Sequence, residues 1–378
     1  MSRGDRWLLV LPLCLTALGV IMVYSSSAIL GITRYQDPNH YLFKQLVRVG
    51  LGLVVMWGAM RVDLRRLEAW GPALLAGAAA LLLLVALVGH VSNGAARALR
   101  LGVLNLQPTE VARVSTVVFL ARWFKDRPPA EHGFRRGLMP PLLVVGGVAG
   151  LILLQPNLSS AVLVLAVGMI LLFLAGASPK HLAAPVVLGA AAAALALATH
   201  PYMMQRWTHY VSFMFGGVVD QRGSGWQLDQ SLIAIGSGGW FGRGLGGGLQ
   251  KFLFLPFAHT DFIFSILAEE LGFVGSTWLL LLVVLLLWRG MRAAVRNSDP
   301  FASVLAAGLT AQIGLYALIN LAVATGLAPT TGLPLPFVSY GGSALLANLA
   351  AAGLLYRVSK GSGAEEALAR HRFTREAS

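Results

Sequence analysis

The chain has 378 residues, of which 56% are hydrophobic and only 12% charged, with a formal net charge of +13. A soluble globular domain carries about 25% charged residues, so water is not the main solvent of this chain. Its single cysteine, Cys14, excludes an intramolecular disulfide and a cysteine-based metal site.

Crossing a ~30 Å hydrocarbon layer takes roughly 20 apolar residues per helix. Ten such runs are predicted in chain order, at 7–30, 41–60, 70–89, 108–124, 138–154, 160–176, 182–199, 262–288, 302–325 and 341–358. The first run is long, lacks a small-residue cleavage site and is followed at once by further spans, so it reads as an anchor rather than a signal peptide. Nineteen of the 29 Lys and Arg fall in the segments that face the cytoplasm if the amino terminus lies inside. This bias sets the orientation. An even number of spans then returns the carboxyl terminus to the same side. The expected fold is all-α, a polytopic membrane protein of ten transmembrane helices with both termini cytoplasmic. A single domain covers 1–360, with a polar tail over 361–378.

Three outer connections stand out. The loop 90–107 carries Arg97 and Arg100 and leads into Pro108, at the first turn of the fourth span. Between spans seven and eight, a segment of about 200–261 is too long for a mere connector. Within it, eight glycines from Gly236 to Gly248 surround Trp240 and Phe241. Such a cluster suits either a phosphate cradle or an interfacial loop with close backbone packing. No strand precedes it, which disfavours a nucleotide loop. The segment Gly326 to Ser343, with three prolines, must be irregular backbone near the membrane surface, where such backbone lines cavities.

Ionisable groups inside a bilayer are expensive, so each needs a partner, water or a purpose. Glu110 and Arg113 stand three apart on one face of the fourth span, either as a mutually neutralising pair or as an acid and a base facing a cavity. Asp261, preceded by His259 and Thr260, sits where the long loop enters the eighth span. It suits either a carboxylate capping the helix, which would lower its pKa, or a partly buried general base, whose pKa would rise. Glu269 and Glu270 lie two turns deeper, about 80° and 180° around the helix from Asp261, and are expected to bond to neighbouring helices or polar loops. No Walker pattern, Ser-His-Asp order or metal-ligand spacing is present, which argues against an ATPase or a zinc enzyme.

The stretches LQPTEVAR (Leu106–Arg113), QPNLSSA (Gln155–Ala161), GWQLDQSLIAIGSGGWFGRGLG (Gly225–Gly246), LPFAHTDFIFSILAEELGFVG (Leu255–Gly275) and TGLPLPFVSYGGSALL (Thr331–Leu346) together resemble the bacterial family of shape, elongation, division and sporulation (SEDS) proteins. The resemblance covers nearly the whole chain, and the wording of the last motif is closest to the rod-shape, elongation member. It implies a peptidoglycan glycosyltransferase in the inner (cytoplasmic) membrane that polymerises lipid II on the outer face. Asp261 matches the family's catalytic aspartate, a general base, with undecaprenyl pyrophosphate leaving. Glu110 matches the family's cavity glutamate. Arg113, Arg206, Arg243 and Lys251 are expected cations for the pyrophosphate, and Gln107, Gln230, His259, Thr260, Ser339 and Ser343 are expected to line the cavity. Arg113, Asn157 and Phe257 stand where the family more often has lysine, aspartate and glutamate. A divalent cation, magnesium or manganese, and no organic cofactor are implied, as is a partner, a class B penicillin-binding protein. A lipid II flippase and a non-catalytic scaffold are the alternatives from other classes. Polar features gathered on one side, without a repeat between halves, argue against the flippase.

Overall fold

A backbone in hydrocarbon has to satisfy its own N–H and C=O groups, and the helix does so within one segment. Each of the ten apolar runs coincides with helix in the computed structural model, which describes residues 4–88, 90–92, 95–101, 104–216 and 224–376. These helices are α1 (Trp7–Tyr35), α2 (His40–Ala59), α3 (Leu64–Val88), α4 (Pro108–Asp126), α6 (Met139–Leu153), α7 (Leu158–Leu174), α8 (Pro179–Thr199), α11 (Ile263–Val295), α12 (Pro300–Ala324) and α13 (Gly342–Glu376). A short α5 (Pro129–Gly133) and a π turn (Phe134–Leu138) lead into α6. Seven of the helical stretches are long and apolar enough by themselves to cross a membrane, and α7 is apolar but shorter. Helix α4, which carries Glu110 and Arg113, is not among the seven; its polar residues turn inward against the bundle.

Two expectations need correction. The fold is not purely α: the connection after α3 holds an antiparallel sheet of order β1-β2-β3, with β1 (His90–Ser92), β2 (Ala95–Leu101) and β3 (Leu104–Leu106). Pairing satisfies backbone groups that an irregular loop at a membrane surface would leave bare. Asn93-Gly94, in sequence between β1 and β2, is the hairpin signal that could have revealed it. The side chains of Arg97 and Arg100 lie outside the described residues. The segment 200–261 is likewise not one loop, since it contains α9 (Pro201–Met214) and α10 (Ser224–Ser237). Helix α13 runs on through the polar tail up to Glu376.

One end of the bundle gathers the chain's amino terminus, Arg289 paired with Asp5 at 3.2 Å, Lys125 paired with Glu68 at 2.8 Å, and Arg357 donating to the Val62 carbonyl. The opposite end carries the sheet, α9, α10, the glycine cluster and the Pro-Gly segment.

The glycine cluster is a packing device. In α11 the helical path breaks at Gly272, with φ 68° and ψ −164°, a conformation open to glycine and strained for other residues. The break frees the carbonyls of Glu269 and Glu270, which accept from the N–H groups of Arg243 and Gly244. The N–H groups of Phe273 and Val274 in turn donate to Gly239 and Trp240. The loop thus replaces the missing helical ladder. A Cβ on Gly242 would stand 2.1 Å from the Glu270 carbonyl, so only glycine fits the approach.

Both deep glutamates bond as expected of buried acids. Glu269 accepts from the Leu249 and Gln250 N–H groups, at 2.7 and 3.2 Å. Glu270 pairs with Lys251 at 2.7 Å and accepts from Ser25 Oγ, joining the loop and α1 to α11. Removing one member of a buried pair strands the other charge, at about 3–5 kcal/mol. Glu270→Leu is expected to lose that much stability in thermal or denaturant unfolding of the purified protein, and the double variant Glu270→Leu/Lys251→Met to recover most of it.

Candidate active site

Asp261 lies in a turn between the glycine-rich loop and α11, where the Phe257 carbonyl accepts the N–H groups of Thr260, Asp261 and Phe262. Three groups from two other elements hold the turn from outside. The His259 carbonyl accepts from Tyr340 N at 2.9 Å, the Thr260 carbonyl from Ser339 Oγ at 2.6 Å, and the Asp261 carbonyl from Asn320 Nδ2 at 2.8 Å. Asn320 donates equally to Leu333, and Ser339 Oγ accepts from Leu335 N. The Pro-Gly segment and α12 therefore fix the backbone of the turn and leave the Asp261 side chain free of the task.

Of the two readings of Asp261, the capping one fails. The N-cap of α11 is Phe262, and no side chain caps that end. Burial instead pushes the Asp261 carboxyl up to about 7, against the opposing pull of the Arg206 guanidinium and a hydrogen bond from Thr260. A carboxyl near 7 is matched to proton transfer at neutral pH.

A cavity of about 530 Å³ lies between α4, α7, α8, α9 and the irregular stretch 329–334 of the Pro-Gly segment, with Gln107, Glu110, Asn157, Tyr202, Arg206 and Thr330 among its lining residues. Arg206 reaches it from α9, donates to the Thr330 carbonyl at 3.2 Å and to the Tyr202 hydroxyl, and stacks 4.5 Å over the Tyr202 ring. Asp261 does not line this cavity. It is tied to the 329–334 stretch through Asn320 and lies within the field of Arg206.

Glu110 reaches the cavity wall but is held by two partners. Arg113 Nε stands 2.6 Å from its Oε2, and Tyr316 Oη donates to Oε1 at 2.6 Å. Arg113 also donates to Asn348 Oδ1 at 2.9 Å, lies 4.2 Å above the Tyr316 ring and, with the Gln312 amide turned to accept, bonds that residue at 3.0 Å. The pair is a neutralising knot between α4, α12 and α13, and Arg113 is not available to a phosphate.

Several other expected residues are also occupied elsewhere. Lys251 is spent on Glu270. Arg243 is exposed outside the cavity, its Nε directed to the Ser237 carbonyl. Gln230 is buried on α10 away from the cavity lining. His259 packs its ring between Tyr41 and Tyr340, at 5.0 and 5.3 Å, and burial with Arg34 and Arg48 nearby lowers it to about 4. Ser343 accepts from Gln107 N at 3.0 Å and donates to the Asn105 carbonyl, pinning α13 to β3 and α4. Thr260 and Ser339 serve the turn itself. Asn320, Tyr316, Gln312 and Asn348 escaped the sequence reading; each is an isolated polar residue in an apolar helix, which is the signal that could have found them.

Among the described residues no three His, Cys, Asp or Glu side chains cluster as a metal site. The residues present do not form a protein-held seat for the expected divalent cation.

A bundle with several membrane-crossing helices, a largely apolar cavity edged by polar residues and a carboxyl tuned to neutrality beside it defines a multi-pass membrane protein with a candidate acid-base group next to a cavity. The model of the FtsW/RodA/SpoVE family, described as cell cycle protein, matches residues 6–363. The probable peptidoglycan glycosyltransferase FtsW of Coxiella burnetii is 39% identical over 360 residues, 94% of this chain and 96% of its own. Among solved structures, a chain from work on the structural coordination of polymerization and crosslinking by a peptidoglycan synthase complex superposes with a TM-score of 0.77 at 35% identity, covering 95% of this chain and 98% of that one. The crystal structure of Thermus thermophilus rod shape determining protein RodA gives 0.70 at 32%, covering 94% and 96%. The chain belongs to the FtsW/RodA/SpoVE family, the SEDS proteins.

Asn320 carries two carbonyls, those of Asp261 and Leu333. Asn320→Leu leaves both unpaired and is expected to cost about 1–3 kcal/mol, read as a lower unfolding midpoint of the purified protein. Asn320→Asp, which keeps a polar group but no donor, is expected to be no better.

Proposed function

We propose that the chain polymerises lipid II into glycan strands on the outer face of the cytoplasmic membrane, with Asp261 as the general base. The chain is a peptidoglycan glycosyltransferase. The observation that carries the mechanism is the carboxyl of Asp261, held in a rigid turn and pushed by burial to about 7. In its ionised form it accepts the proton of a sugar hydroxyl on the incoming lipid II as that oxygen attacks the anomeric carbon of the growing strand. The bond from that carbon to undecaprenyl pyrophosphate breaks, and the configuration inverts. One base is enough because the leaving group is already a weak base. Arg206, the candidate cation that faces the cavity, balances the pyrophosphate charge where it develops. A divalent cation is expected to arrive with the pyrophosphate, since no cluster of metal-binding side chains is found among the described residues.

The proposed topology has ten spans with both termini cytoplasmic. It puts the basic end of the bundle inside and the cavity end outside, in keeping with the bias of Lys and Arg toward cytoplasmic loops. A class B penicillin-binding protein is the proposed partner, supported by the likeness to a chain of a polymerising and crosslinking synthase complex. The elongation role is proposed on the wording of Pro334–Leu345, and the likeness to both FtsW and RodA is compatible with it.

The test is polymer formation from labelled lipid II by the purified protein with its partner. Wild type is expected to make polymer with a rate that rises with pH through about 7 as Asp261 ionises, and Asp261→Asn or Asp261→Ala to lose it by at least ~100-fold while still binding lipid II. Polymer made at an unchanged rate by Asp261→Ala would remove the base assignment. Lipid transport across vesicles without polymer would favour the flippase.

A further inference from the structure

The donors that fix the turn 259–261 come from α12 and the Pro-Gly segment, and they hold it by its backbone carbonyls. The side chain of His259 makes a different connection. Its ring stands 5.0 Å from that of Tyr41 on α2 and 5.3 Å from that of Tyr340, and the two tyrosine rings meet edge to face at 5.4 Å. Three rings from three elements thus close a triangle beside the base. Ring pairs at such separations attract one another with a preferred geometry, beyond the area they bury. Tyr340 holds His259 twice, its N–H on the carbonyl at 2.9 Å and its ring on the imidazole. His259 is not among the residues that line the 530 Å³ cavity, where the sequence had suggested it.

The corners of the triangle have firm backing. Tyr41 lies in the first turn of α2, behind the short connection 36–39 from α1. There Gln36 takes the left-handed conformation at φ 58°, its N–H donates to the Ile32 carbonyl at 3.0 Å, and the Asp37 carboxylate accepts from Asn39 N. Tyr35 and His40 stack across this corner at 3.7 Å, and His40 meets Tyr41 at 5.4 Å. Farther along, α2 lies close on α13, where a Cβ on Gly353 would come 2.5 Å from the Met56 carbonyl. The Arg48 guanidinium lies 4.1 Å over the Tyr340 ring, whose face attracts a cation. Ring contacts therefore carry the position of α2 to the turn. They also act on charge. Burial, with Arg34 and Arg48 nearby, lowers the imidazole to about 4, so it is neutral at physiological pH. A protonated His259 would set a positive charge close to Asp261 and favour its ionised form, whereas the neutral ring leaves burial free to raise the carboxyl.

We propose that His259 is a positioning residue for the base: clamped between Tyr41 and Tyr340, its ring ties the turn to the outer end of α2 and keeps Asp261 in place and partly buried. This deepens the reading of Asp261 as the base and rests on it. His259 itself touches no substrate and carries no proton in the reaction. Removing its ring frees one side of the turn, admits water to the carboxyl and lowers its proton affinity from about 7 toward the usual carboxylate range. A weaker base in a looser position takes the proton more slowly. The charged groups that face the two residues are Arg206 of α9 toward Asp261, and Arg34 of α1 and Arg48 of α2 toward His259. These arginines stay charged and the Tyr41 and Tyr340 hydroxyls stay neutral from pH 5 to 8, so a change in that range reports the carboxyl.

The experiment compares wild type, His259→Phe, His259→Leu and Tyr41→Leu as the purified full chain with its partner. It reads kcat and KM for labelled lipid II across pH, the infrared titration of the Asp261 carboxyl, and the melting point. Leucine fills much of the space of a ring without its flat face. His259→Leu is expected to lose roughly tenfold to a hundredfold in kcat with KM within about twofold of wild type, and its Asp261 midpoint to fall from about 7 toward the usual carboxylate range. Tyr41→Leu, on a different element, carries the same expectation should His259→Leu fail to fold. His259→Phe keeps an uncharged ring and is expected to stay within about threefold of the wild-type kcat, with its midpoint unmoved. Wild-type kcat and midpoint in folded leucine variants would overturn the proposal. A loss in His259→Phe as large as in His259→Leu would do the same, because the imidazole nitrogens and not the ring face would then matter. So would a raised KM at unchanged kcat, the sign of a substrate contact. Folding lost in both leucine variants, or a lowered melting point with rate and midpoint unchanged, would make the rings part of the frame alone and also overturn it. A midpoint that moves in the leucine variants while the rate does not would contradict Asp261 as the base and leave the positioning of its carboxyl standing.

Discussion

Three consecutive carbonyls, of His259, Thr260 and Asp261, are each held by a donor from outside the turn. The rest of the site depends on this arrangement. A turn at the mouth of a helix in a membrane protein has no water to complete its hydrogen bonding and no ladder to join. Ordinarily a side chain at the N-cap position would accept the free N–H groups of the helix. Here the Phe257 carbonyl takes the N–H groups of the turn, while Asn320, Ser339 and Tyr340 take its carbonyls. The carboxylate of Asp261 is thereby released from structural duty, and with no capping bonds to stabilise its charge, burial raises its affinity for a proton.

The same constraint explains where charge is spent in the bundle. Glu110 with Arg113 and Glu270 with Lys251 are satisfied pairs that tie elements distant in sequence, α4 to α12 and α13, and the glycine-rich loop to α11 and α1. They hold the frame on either side of the turn. The kink at Gly272 serves that frame as well, because the carbonyls it frees receive the loop that carries Lys251. Against this background Asp261 differs, since among the described residues it has no ion pair to settle its charge.

Much of the frame was legible because its signal is local. A run of some twenty apolar residues specifies a helix without reference to the rest of the chain, and all ten runs coincide with helices. The Glu110–Arg113 pairing followed from a spacing of three, and the bonding of Glu269 and Glu270 from the cost of a bare carboxylate in hydrocarbon. What could not be read was who pairs with whom at long range. Lys251 looks like a free cation in sequence and is a buried partner of a glutamate nineteen residues on; Arg113 and Arg243 are drawn away from the cavity in the same manner. Asn320 gives no hint of the two carbonyls it joins, and the sheet between α3 and α4 was hidden by short strands whose alternation is weak. The choice between cap and base at Asp261 depended on backbone geometry around Phe262, which no spacing encodes.

The claim at the centre is that Asp261 carries its proton at mildly acidic pH and yields to ionisation near neutrality because the turn is rigid and partly buried. Infrared difference spectroscopy of the purified protein across pH reads this directly. A protonated-carboxyl stretch that disappears with a midpoint near 7, and is absent in Asp261→Asn, is the predicted result. A signal assigned to Asp261 that titrates near 4, the range of a solvated carboxylate, would contradict the account.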